Sequence, residues 1–186
     1  FFKIEKNSII YNYDFINICS RLGGKRGIEL AKSGVIKCYE IYKFKSNIFW
    51  ETEQTANRIF NLVNNFDFIN SISTKQDEYN LKKIISININ AFSRFIFSKT
   101  INEYSLLEFK VYILIKCILG DEITNTKNKF DKIVENQIDN FAMHKSYNIF
   151  EQAKCINNID EIISILLNFN KDVPETFYLT KLRMET

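Results

Sequence analysis

The sequence predicts an all-α protein, and three observations carry that expectation. Apolar residues recur at intervals of three and four along most of the 186 residues, the spacing that builds one face of a helix. Breakers are scarce: there are 5 glycines and 1 proline, and four of the glycines gather at Gly23-Gly24, Gly27 and Gly34. Hydrophobic residues make up 46% of the chain and aromatic residues 15%, enough to fill one substantial core.

The elements follow in order. A first helix is expected over Asp14 to Leu22, stopped by Gly23-Gly24. A second follows Gly27 or Gly34 and runs toward Lys43. A third opens near Thr52, with Glu53 and Gln54 in its first turn, and carries Ile59, Leu62, Val63 and Phe66. A fourth covers Asp77 to Ser98. Its stripe of Leu81, Ile84, Ile85, Asn88, Ile89, Phe92, Phe95 and Ile96 leaves Lys82, Lys83 and Ser86 outside. A fifth, Ser105 to Leu119, is apolar on most sides and should therefore be the most buried. A sixth is expected over Lys127 to Phe141 and a seventh over Tyr147 to Asn168. Pro174 marks a connector before a last helix, Thr176 to Met184.

Several chemistries are disfavoured by composition. The net charge of +3 comes from 25 basic and 22 acidic residues spread along the chain, without the basic stripe of a nucleic-acid binder. Cys19, Cys38, Cys117 and Cys155 form no Cys-x-x-Cys pair and His144 is the sole histidine, so neither a structural zinc nor a disulfide framework is expected. Reduced, mostly buried thiols are. Gly23-Gly24-Lys25-Arg26-Gly27 lacks the spacing of a dinucleotide or P-loop signature. No catalytic grouping and no cofactor site emerges, and His144 is expected as a surface residue between helices. Phe1 to Lys6 has no apolar signal core, and the run Val111 to Leu119 is too short for a bilayer. Together these point to a cytoplasmic or nuclear protein. Asp121 and Glu122 follow the most apolar helix, where acids oppose the helix dipole and call for a compensating cation from outside the helix.

Four segments, taken together, resemble the cyclin family. Asn90-Ala91-Phe92-Ser93-Arg94-Phe95-Ile96 is similar to a cyclin-box Asn-x-x-Asp-Arg-Phe-Leu. Leu114 to Ile123 is similar to the apolar helix that ends in a Lys and an acidic pair. Ile159 to Asn170 is similar to the fifth box helix, and Pro174 to Leu179 to the start of a second box. Lys99-Thr100-Ile101 falls where cyclins change helix. The likeness covers about Thr52 to Leu182 and looks closest to the transcription-type cyclins.

The resemblance implies an N-terminal helical extension over 1–50, a five-helix cyclin-like box over 51–173, and the start of a second box or a C-terminal helix over 174–186. It implies a regulatory subunit without an active site that binds and activates a cyclin-dependent protein kinase, with no direct contact to nucleic acid or membrane. Lys116, Leu119, Asp121, Glu122 and Asp160 would face the kinase, as an underpaired cluster whose complements belong to the partner. Cys117 would hold the small-residue position of a close helix crossing. Arg94 would either bridge to a neighbouring helix or lie at the stripe's edge with its head in water. The chain departs from the family pattern at three places: Leu119 and Gly120 stand where cyclins carry a Lys, Asp160 replaces a Glu, and Ser93 replaces an Asp.

Two other readings remain open. Ile16 to Gly23 faintly resembles the start of a TFIIB-like repeat, which shares the cyclin fold but binds DNA and polymerase. Thr74 to Lys82 has the look of a ligand-binding helical domain of nuclear-receptor type, one form of an unrelated interaction module.

Overall fold

The computed structural model describes residues 9–44, 48–100 and 103–186, so Phe1 to Lys6 and Ile101 lie outside the described residues. Every regular element among the described residues is helical. These are α1 (Ile9–Asn12), α2 (Phe15–Leu22), α3 (Gly24–Tyr42), a 3-10 turn (Ile48–Trp50), α4 (Thr52–Asn64), α5 (Phe66–Asn70), α6 (Lys75–Phe97), α7 (Leu106–Leu119), α8 (Thr126–Gln137), α9 (Ile149–Asn168) and α10 (Glu175–Glu185). No helix among them is long and apolar enough to cross a membrane. The chain divides into two compact units, 1–95 and 96–186. That division falls inside the stretch 51–173 that the resemblance assigns to one box.

In the first unit the glycines act in two ways. Gly23 and Gly24 take positive φ values of 65° and 60° and separate α2 from α3, as a helix stop should. Gly27 and Gly34, expected to precede a helix, instead lie inside α3 where it crosses α2. A Cβ on Gly27 would sit 2.5 Å from the Cys19 carbonyl oxygen, and one on Gly34 2.7 Å from the Phe15 ring. Helix α4 packs on α1, α2, α5 and the 3-10 turn, and α3 packs on α2 and α5. Tyr13, Ile16, Val35, Phe49, Leu62, Ile69 and Leu81 form the core.

That core holds an arginine, and it is not Arg94. Arg94 is exposed, because the buried stripe of α6 runs through Leu81, Ile84, Asn88, Phe92 and Ile96 and leaves it on another side. Arg58 is 0% exposed. Its guanidinium donates to Asn88 Oδ1 at 2.8 Å, the Tyr11 carbonyl at 2.9 Å and Thr55 Oγ1 at 3.1 Å. It also lies 3.7 Å over the Phe49 ring.

In the second unit α7 packs on α9 and α8, and α10 on α9 and α8. The mutually tilted rings of Phe109, Phe130 and Phe177 mark its centre, with 3.9 Å between the centroids of the last two. Phe177 ties α10 into this core. Helix α7 is the more buried of the two long apolar helices, as its all-round apolar surface requires: Leu106, Glu108 to Val111, Ile113 to Ile115 and Cys117 are all buried, against five positions of α6. Helix α8 ends at Gln137, short of the expected Phe141. Ile138 turns extended and pairs with His144, and Asp139 Oδ1 accepts the Phe141 and Met143 N–H groups. Half-buried His144 therefore sits in this loop, its Nδ1 bonded to Ser146 Oγ.

Candidate functional site

The residues singled out in the sequence, Arg94 apart, belong to the second unit, and its geometry rests on α7 and α9. Helix α7 begins with a reciprocal cap: Ser105 Oγ accepts the Glu108 N–H at 3.1 Å, and Glu108 Oε2 accepts the Ser105 N–H at 2.8 Å. It ends at Gly120, whose φ of 71° lets the chain turn and lets the Asp121 N–H reach the Lys116 carbonyl. Helix α9 opens on Asn148, which caps the Phe150 N–H.

Two observations fix the direction of the pair. Lys110 donates to Glu161 at 2.6 Å, and Glu122 and Ile123, just beyond α7, line one cavity with Leu166 and Lys171 at the end of α9. The helices therefore run the same way, with their C-terminal ends together. Lys110 is 4% exposed; burial pushes its ammonium below the usual lysine range, and the Glu161 carboxylate opposes that shift. Cys117 is buried, and burial pushes its thiol up.

The five expected partner-facing residues do not form one cluster. Lys116 donates to Asp121 at 2.8 Å, so the cation that compensates the acids beyond α7 comes from the helix itself. That bond holds the Lys116 ammonium above its ordinary value. Leu119 is exposed beside them. Glu122 is exposed without an ion pair among the described residues and lines a cavity of about 390 Å³ with Ile123, Thr126, Leu166 and Lys171. Asp160 points elsewhere: it accepts from Lys181 of α10, whereas its neighbour Glu161 faces Lys110. Lys116 with Asp121 and Asp160 with Lys181 are thus paired within the chain.

Around the charged groups lies exposed apolar surface. Ile118 and Leu119 at the end of α7, with Leu167 at the end of α9 and Phe169 just beyond it, stand at the same end of the helix pair. Among the described residues no group of His, Cys, Asp and Glu side chains could hold a metal ion. The Lys110–Glu161 bridge was missed in the sequence, although a lysine between Phe109 and Val111 in the apolar run Leu106 to Leu119 signals a buried charge that needs a partner. No protein-family model, curated protein or solved structure matches this chain.

Proposed function

We propose that this chain is a cyclin-like regulatory subunit that docks on a cyclin-dependent protein kinase through the joined ends of α7 and α9. One observation carries the reading: the parallel α7–α9 pair, bridged by Lys110 and Glu161, ends in exposed Ile118, Leu119, Leu167 and Phe169, with Glu122 beside them. An apolar patch rimmed by charge suits a protein partner, the charges giving orientation and on-rate. The kinase is named by the sequence resemblance, in which the third and fifth box helices meet the kinase's mobile helix and hold its Lys–Glu pair in place. The chain contributes no catalytic group to that task.

Co-purification against a panel of kinases tests the proposal. Glu122→Ala, on this face and outside any ion pair among the described residues, should weaken capture sharply while leaving the melting temperature nearly unchanged. Truncation of a desolvated interfacial charge costs about 2–5 kcal/mol. Leu119→Lys, which restores the family's lysine, should strengthen it. Capture that ignores both substitutions would remove the kinase from this face.

A second reading, an unrelated helical interaction module, for example a ligand-binding domain of nuclear-receptor type, is favoured by the way the chain divides. Thr74 to Lys82 opens α6 with a reciprocal cap, in which Thr74 Oγ1 accepts from Asp77 N and Asp77 Oδ2 accepts from Thr74 N. Asp77 also pairs with Lys32 of α3. These helices share a unit with α4 and α5, whereas a five-helix box would group α4 and α6 with α7. A rise in melting temperature with small apolar ligands, and none with kinases, would select this reading.

A further inference from the structure

Helices α1 and α2 are one helix broken at one residue. Tyr13 has φ 61°, in the left-handed region, while Asp14 is already helical at φ −61° and ψ −22°. A return of Tyr13 alone to the right-handed region would join Ile9–Asn12 to Phe15–Leu22. The break diverts two carbonyl groups from that helix. The Tyr11 carbonyl accepts from Arg58 Nη1 and the Asn12 carbonyl from Asn61 Nδ2, each at 2.9 Å. In a continuous helix both would accept from N–H groups four residues on. Asn61 Nδ2 also holds the Asp14 carboxylate at 2.8 Å, and the Tyr11 ring stands edge-on to Tyr42 at 5.0 Å.

The two arrangements are mutually exclusive, because rotating Tyr13 out of the left-handed region redirects Ile9–Asn12 and carries the Tyr11 and Asn12 carbonyls away from Arg58 and Asn61. The released arrangement leaves on α4 a socket of defined chemistry. Arg58 is a buried cation whose partners are all neutral, Asn61 reads a carboxylate, and Phe49 and Tyr42 offer aromatic walls. We propose that the strap Ile9–Asp14 is an intrachain occupant that closes a docking site on α4 for a peptide segment bearing an aromatic residue and, three positions on, an acid, the pattern of Tyr11 and Asp14. Tyr13 is the hinge. This site lies within the first unit and does not depend on the kinase reading.

Two substitutions that remove the same ring separate hinge from packing. Tyr13→Gly accepts the left-handed conformation, whereas Tyr13→Ala favours the continuous helix. The alanine variant should show more helicity by circular dichroism, faster hydrogen exchange at the Tyr11–Asp14 junction with α4, and red-shifted Trp50 emission. A fluorescent peptide of residues 9–14 should bind it about tenfold more tightly than the glycine variant, because the competent state is more populated. Asp14→Ala keeps the Tyr13 ring, removes the Asn61 bond and should move in the same direction as Tyr13→Ala, so it decides the matter if the latter fails to fold. Equal helicity and emission in folded glycine and alanine variants would overturn the proposal. So would failure of the peptide to bind Asp14→Ala more tightly than the parent chain.

Discussion

Arg58 brings a charge into the first unit's core with only neutral partners, and burial pulls its guanidinium well below the usual arginine range, down to about 10, partly offset by Tyr13. It stays charged at neutral pH because three acceptors and the Phe49 face replace its hydration. It lies seven residues before Asn65 and three after Thr55, in line with Leu62 on the apolar side of α4, so its burial was legible as a periodic position that its polarity disguised. Its partners were not legible, since Tyr11 and Asn88 lie 47 and 30 residues away. The thiols invite two predictions. Cys117 is 5% exposed where α7 meets α9, so Cys117→Phe should overpack the crossing and cost about 1–3 kcal/mol, read by thermal unfolding. Burial pushes the Cys155 thiol from 9.0 up to about 11, with Glu151 adding to the shift. A raised thiol favours the fold fully below its unfolded value, and the contribution disappears as pH climbs through the folded one. Urea midpoints should therefore fall between pH 9.0 and about 11, and fall less steeply in Cys155→Ala.

At the scale of elements, α6, α7 and α9 lie close to where their apolar spacing puts them, because long periodic stretches bury one face whatever their neighbours are. The short pieces were less legible. Helix α1 has only Ile9–Asn12, and α5, Phe66–Asn70, continues the apolar pattern of α4 beyond its end at Asn64. Gly27 and Gly34 misled for a physical reason: glycine marks a stop by its backbone freedom but a helix crossing by its missing side chain, and sequence spacing does not separate the two. Alanine scanning does. Gly27→Ala drives a Cβ against a backbone carbonyl, which cannot move aside, and should destabilise the chain despite alanine's gain of about 1 kcal/mol in helix propensity. Gly34→Ala meets the Phe15 ring, which can rotate, and should fall near neutral. Equal melting temperatures for the two variants would deny the close approach of α2 and α3.

Across the whole molecule, 25 basic residues against 22 acidic ones leave little field for a polyanion. Many of the cations are also paired, as Lys32 is with Asp77, Lys82 with Glu78, Lys99 with Glu108 and Lys154 with Glu151. Binding to random duplex DNA, followed by fluorescence anisotropy, should therefore be weak and change little between about 50 and 200 mM salt. A protein with six or more phosphate contacts loses about a thousandfold or more over that range. A steep salt slope would favour the TFIIB-like reading over both proposals above. The division at residues 95 and 96 is the part of the architecture that no local pattern announced, since α6 runs through it as one uninterrupted helix. Periodicity reports which face of an element is buried and is silent about which core receives it.

The four thiols are all free, and they differ in access: Cys38 is half-buried, whereas Cys19, Cys117 and Cys155 are enclosed. A maleimide offered to the folded chain thus meets one target first, on α3. Two of the slower sites, Cys117 and Cys155, belong to the second unit and the third, Cys19, to the first. Timed alkylation, resolved peptide by peptide, becomes a clock with separate hands for the opening of each core.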